Sequence, residues 1–217
     1  FYQKVTEAVG VYCEDKDINK GFLLTSPQRQ IASCMPAALK SWNEKLLSGH
    51  LSSEVFEDIG LEDLLSDPPT KLGPLTSHLV ALSDELGSYE LLKKVDSKYA
   101  RLETMLTEFF KQHPDEKIII FTYFRKTISY LNERLSEAGI SSQMIMGGMK
   151  EGKDDAIRRF QTESSTRVLI ASEVASEGVD LQFCRVLVNY DLPWNPMKVE
   201  QRIGRIDRIG QKADKIT

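Results

Sequence analysis

From Asp115 onward, short apolar runs alternate with stretches in which apolar residues recur every three or four positions. That alternation predicts a parallel sheet joined by crossover helices. KIIIFTY (117–123) is almost continuously apolar, as a strand buried on both faces must be. SSQMIMG (141–147), RVLIAS (167–172) and RVLVNYD (185–191) predict three further strands. Between the first two, Phe124, Ile128, Leu131 and Leu135 keep helical spacing, and Gly139 stands where a helix C-cap belongs. Ala156, Ile157 and Phe160 mark the next helix. Asn195-Pro196 is a helix start, an N-cap followed by proline at the first helical position, and Val199, Ile203 and Ile206 define that helix's expected buried face. The fold class is α/β, an open parallel sheet with helices on both faces.

Residues 1–95 lack the alternation and read as mainly helical and irregular, with helix-compatible stretches near 1–9 and 28–47 and a break at Asp67-Pro68-Pro69. Six acidic residues between Glu54 and Asp67, with no Lys or Arg among them, suggest a solvated connector. From Asp96, the residues Tyr99, Leu102, Leu106, Phe109 and Phe110 line one side of a helix leading into the first strand. The expected organisation is a helical connector or insertion over 1–95 and an α/β domain over 96–217. The chain starts at Phe1 with no secretory signal and ends on a strand-like KIT, so it reads as part of a longer protein.

Composition narrows the class only slightly. Hydrophobic residues make up 41% and charged residues 28%, and the longest apolar run of the sheet region, IIIF, is too short to span a bilayer, so no membrane is expected. Cys13, Cys34 and Cys184 are odd in number and lack metal-ligand spacing, which argues for a reducing compartment, the cytoplasm. His50, His78 and His113 form no triad or ligand set with neighbours in sequence. The net charge of −4 disfavours a simple basic nucleic-acid binder, although a protein that grips the backbone through amides and a few side chains needs no basic pI.

The chemistry-bearing run is QRIGRIDRIGQ (201–211). Arg205 and Arg208, three apart, are expected to share a face at the end of the last helix, and Gln201 sits one turn before Arg205. Guanidinium groups are permanently charged, planar and able to fork onto phosphate oxygens. In isolation an R-x-x-R pair is equally consistent with surface ion pairing to Glu200 or Asp207. A second run, VLIASEVASEGVDLQ (168–182), shifts the balance, because it carries Ser172, Glu173, Gly178 and Asp180 just past the end of a strand. Ligands of open α/β sheets bind at those carboxyl ends. No GxxxxGK[ST] phosphate loop occurs anywhere in the chain.

Together, IIIFTYF, ASEVASEGVDLQ and QRIGRIDRIGQ resemble motifs IV, V and VI of the C-terminal RecA-like domain of superfamily-two helicases. NYDLPWNPMKVEQRIGRIDRIGQ is most similar to the Swi/Snf type and, within it, to the bacterial RNA-polymerase-associated group. The resemblance covers roughly 96–217. It implies that Arg205 and Arg208 reach the γ-phosphate of ATP, assisted by Gln201, while Gly178 and Asp180 shape the nucleotide side of motif V. It also implies that ATP and magnesium are held mainly by a first RecA-like domain elsewhere in the protein. On the nucleic-acid side it implies Thr122, Gly147, Gly148, Ser172 and Glu173, with Lys126, Arg158 and Arg159 as supplementary cations. Asp180 departs from the asparagine common in eukaryotic Swi/Snf proteins and favours a bacterial affiliation.

The functional expectation is the second motor domain of an ATP-dependent DNA translocase. It would track double-stranded DNA and remodel a bound protein, with RNA polymerase as the partner the resemblance suggests, and the segment alone would be inactive. Two alternatives stay open: a strand-separating RNA or DNA helicase, and a non-catalytic nucleic-acid-binding scaffold.

Overall fold

The computed structural model describes residues 2–16, 20–48, 79–81, 88–149, 151–176, 178–193, 195–207 and 216–217. The acidic run 54–67, the break at Asp67-Pro68-Pro69, Trp194, Arg208 and Gly210 lie outside these residues. The chain divides into two compact units, Phe1–Ser97 and Lys98–Thr217.

The first unit contains helices α1 (Tyr2–Lys16), α2 (Lys20–Ser33), α3 (Met35–Ser48) and the short α4 (Tyr89–Lys94). Its core gathers Val5, Val9, Cys13, Ile31, Ala38, Trp42, Leu79 and Val80. Trp42 could not be buried without a partner for its indole N–H, and Gln30, itself buried, accepts that hydrogen at 2.7 Å.

The second unit opens with α5 (Ser97–Gln112), which buries Tyr99, Leu102 and Leu106. Phe109 and Phe110, expected on the same stripe, are only half-buried, and Phe110 is covered instead by the Arg167 guanidinium at 3.7 Å. The sheet follows: β1 (Ile118–Phe121), α6 (Arg125–Glu137), β2 (Ser142–Ile145), α7 (Lys153–Thr162), β3 (Val168–Ala171), α8 (Glu173–Ser176), β4 (Val186–Asn189) and α9 (Pro196–Ile203). The strands are parallel and run in the order β2-β3-β1-β4. β1 and β3 are the central pair and are buried at every position, which is why their sequences show no polar alternation. β2 and β4 are only partly buried. Thr217 extends the sheet beyond β4, donating to Arg185 O and accepting from Leu187 N.

Period-two alternation sorts the strand residues between two faces. Ile119, Phe121, Ile145, Leu169 and Ala171 pack with Ala156, Phe160, Val179, Leu181 and Ile206 in one core. On the other side α6 packs against β2 and β3. The register then fixes the site: Phe121 pairs with Ala171 and with Asn189, and Ile145 pairs with Ala171. All four strands therefore end in one row, and whatever follows them in sequence lines a single edge.

Candidate functional site at the carboxyl edge of the sheet

Ser172 follows β3 and is buried. Its Oγ accepts from the Gly147 amide at 3.0 Å and from the Ala175 amide at 3.3 Å, so the hydroxyl ties the end of β2 to the first turn of α8. The Gly147 amide is thereby spent within the protein. Gly148, exposed with φ 77°, makes the turn from Met146 to Met149, a backbone state that L side chains rarely adopt.

Thr122, after β1, is completely buried, and its hydroxyl donates to Asp191 Oδ2 at 2.5 Å. The Tyr123 amide donates to the same oxygen at 3.2 Å, while Lys98 Nζ lies 3.0 Å from Oδ1 and 4.0 Å from the centroid of the Tyr190 ring. One carboxylate thus joins the ends of β1 and β4 to the start of α5. Asp191 lies two residues past β4, which stops at Asn189.

The Asp191 carbonyl in turn accepts from Arg202 on α9. Asn195 caps this helix, its Oδ1 accepting from the Met197 amide at 3.0 Å, with Pro196 in the first turn. Its most buried residue is Arg202, only 1% exposed. Arg202 Nη1 donates to Asn189 Oδ1 and to Asp191 O, both at 2.8 Å, and Nη2 reaches Glu173 Oε2 at 3.5 Å. Nε is buried without a partner, an arrangement that costs about 1–3 kcal/mol. Burial pulls the pKa of Arg202 down, opposed first by Glu173, but a guanidinium stays protonated. Glu173 also pairs with Lys198 at 3.2 Å through its other oxygen.

Two expectations about this helix change. Its buried row is Arg202 and Ile206, four apart, while Val199 and Ile203 are half-buried flanks. The helix also closes before the position expected for Arg205 at its end: Gly204 is the C-cap, and Arg205 stands in the following turn, its amide donating to Arg202 O at 3.1 Å. Gln201 is exposed on the helix and Arg205 is half-buried. Among the described residues neither side chain makes a hydrogen bond or ion pair.

The loop after α8 turns at Gly178, whose φ of 73° demands glycine although a Cβ would meet no atom within 4 Å. Asp180 is exposed and its Oδ1 accepts from the Gln182 amide at 3.1 Å, while Val179 and Leu181 on either side anchor the loop in the core. The supplementary cations are less available: Arg158 pairs with Asp155 and Arg159 with Glu163, both within their own helix or its cap. At the opposite edge of the sheet a shallow cleft of about 470 Å³ is lined by Phe110, Lys111, Ile140, Ser141 and Arg167, far along the strands from these motifs. Sequence reasoning missed Arg202 and Asp191 as the residues joining the motifs.

An all-parallel sheet with helices on both faces, its three motif loops gathered at the carboxyl edge, defines a RecA-like domain of the helicase type. Residues 97–210, more than half of the chain, match the profile of the helicase conserved C-terminal domain, and the chain belongs to that family. A Bacillus subtilis (strain 168) protein described as an uncharacterized ATP-dependent helicase, YqhH, is 52% identical over 100 residues, covering 46% of this chain and 18% of the relative. The RNA polymerase-associated protein RapA of Vibrio vulnificus (strain YJ016) is 43% identical over 112 residues, covering 50% and 12%. The chain therefore spans less than a fifth of these relatives. The crystal structure of the C-terminal part of the Fun30 ATPase domain has the same fold, with a TM-score of 0.58 at 17% identity, covering 99% of this chain and 77% of that one.

Proposed function

We propose that the chain is the second motor domain of an ATP-dependent DNA translocase that remodels a bound protein. The observation that carries this reading is the placement of motif VI. A buried arginine clamps α9 to the carboxyl edge, and exposed Gln201 just before it and half-buried Arg205 just after it have no side-chain partner among the described residues. A guanidinium that has no such partner and hangs from an anchored backbone suits a transferring phosphoryl group, which requires charge placed beside it.

The donor set suits one half of a nucleotide site. Gln201 and Arg205 offer amide and guanidinium hydrogens that match phosphate oxygens. Magnesium and most of the ATP fall, in this reading, to a first RecA-like domain of the same protein, as membership of the helicase C-terminal family implies. When bound there, ATP supplies the γ-phosphoryl group. Arg205 and Arg208 stabilise the charge that develops on it, and Gln201 orients toward it. Gly178 and Asp180 shape the adjoining loop. The nucleic-acid grip falls to the opposite side of the same edge, at Gly148 and the turn it forms, with Thr122, Gly147, Ser172 and Glu173 as the frame beneath. The resemblance to RapA, described as RNA polymerase-associated, supports RNA polymerase as the physiological partner.

In the full-length protein, Arg205→Ala and Arg208→Ala should each lower ATP turnover by about 10³-fold while ATP affinity stays nearly intact, because a finger acts mainly in the transition state. Steady-state turnover and equilibrium nucleotide binding test this together. Normal turnover with a large loss of affinity would remove the finger role.

A further inference from the structure

We infer that Arg202 is a positioning residue for Arg205, and that Glu173 acts through it to connect the motif V loop with the finger. This rests on the reading of Arg205 as a finger. Arg202 cannot itself meet a nucleotide: it is 1% exposed and three of its contacts point inward, to Asn189, the Asp191 carbonyl and Glu173. Those contacts hold α9 against two different loops. Asn189 ends β4 and Asp191 lies two residues past it, and Glu173 is the first residue of α8, directly after Ser172. Three residues further along the chain, the Arg205 amide donates to the Arg202 carbonyl, so the turn carrying the finger hangs from the residue that is clamped.

The clamp is incomplete in an informative way. Nη1 is saturated by two short bonds, whereas the Glu173 contact is long at 3.5 Å and Nε has no partner. Glu173 meanwhile shares itself with Lys198, one helical turn earlier on the same helix. A shift of the Ser172–Glu173 segment toward Arg202 would let the carboxylate accept from Nε and Nη2 side by side, the geometry guanidinium and carboxylate prefer. The Gly147 amide and the Ala175 amide converge on Ser172, so a ligand pressing on the Met146–Met149 turn bears on that segment directly. Occupancy of the nucleic-acid side can thereby reach the finger through Ser172, Glu173 and Arg202, with no contact between ligand and finger.

The test is a double-substitution cycle in the full-length protein, reading ATP turnover with and without duplex DNA. Arg202→Lys keeps the charge but cannot reach three acceptors, and it should lower kcat by about 10²-fold, the scale of a misplacement near 1 Å, with little change in KM. Combined with Arg205→Ala, it should add nothing to the loss caused by Arg205→Ala alone, since a positioning residue has no effect once its client is gone. A double variant a further 10²-fold lower would overturn the inference, because Arg202 would then act independently of the finger. Full turnover in Arg205→Ala alone would instead remove the finger reading beneath it. Thermal unfolding is measured alongside. Should Arg202→Lys not fold, Glu173→Gln enters the same cycle. It should lower kcat with little change in KM and add nothing to the loss caused by Arg205→Ala, and a double variant lower than Arg205→Ala alone would equally overturn the inference.

Discussion

Three arginines stand at 202, 205 and 208, and the linear sequence gives them the same standing. Tertiary structure separates the first two, because Arg202 is buried in a row with Ile206 whereas Arg205 is half-buried in the turn after α9. A guanidinium at the start of a buried i, i+4 pair with Ile206 was the available signal. Apolar periodicity alone does not reveal it, because a long charged side chain can occupy a buried position when acceptors surround its head. Asp191 was hidden for a different reason: it reads as the last residue of a strand, whereas the strand ends at Asn189 and Asp191 turns inward. Cys184 is the residue-scale case with a pH signature. It is buried, its Sγ donates to Lys117 O at 3.0 Å, and burial pushes its thiol from an ordinary value near 9 up to about 11. Between those values the folded state holds the proton more tightly than the unfolded chain, so Cys184 favours folding below pH 9 and that contribution fades toward pH 11. Denaturant midpoints at pH 8 and pH 10.5 should fall more steeply for the native protein than for Cys184→Ala. Parallel slopes would exclude the thiol as the source.

At the scale of elements, most of the α/β unit was legible because each signal was local. The four strands fall within the four apolar runs, Gly139 closes α6 with φ 72°, and Asn195-Pro196 opens α9. Strand order was not legible, since β2-β3-β1-β4 depends on crossovers that no local pattern encodes. The end of α9 is not legible either, because glycine at 204 and glycine at 210 are equal stop signals in sequence, and the nearer one caps the helix. That helix carries the proposed finger turn, so its N-terminal cap is worth isolating. Asn195→Ala removes the oxygen that accepts from the Met197 amide and should destabilise the domain by about 1 kcal/mol, with Asn195→Asp close to neutral. Chemical denaturation of the three proteins reads this directly, and equal midpoints for all three would show that proline at the first turn suffices.

For the whole molecule, the proposed function requires a division of labour between this chain and the remainder of its protein. The relatives it matches are more than five times the length of the matched region, and the sequence contains no phosphate loop. Residues 1–217 alone should therefore hydrolyse no ATP above background, and turnover that persists through successive purification steps would refute the assignment of roles. In the full-length protein the same division makes the track measurable. A translocase that follows duplex DNA holds a continuous backbone against the carboxyl edge, and turnover should rise with duplex length and fall steeply with salt as phosphate contacts are lost. A strand-separating helicase instead requires one strand at that edge, and single-stranded nucleic acid would then stimulate where duplex does not. Measuring turnover against duplex DNA, single-stranded DNA and single-stranded RNA at two salt concentrations separates the readings. Stimulation by single-stranded RNA with no response to duplex DNA would replace the remodeller with a strand-separating motor while leaving the finger, and the clamp behind it, in place.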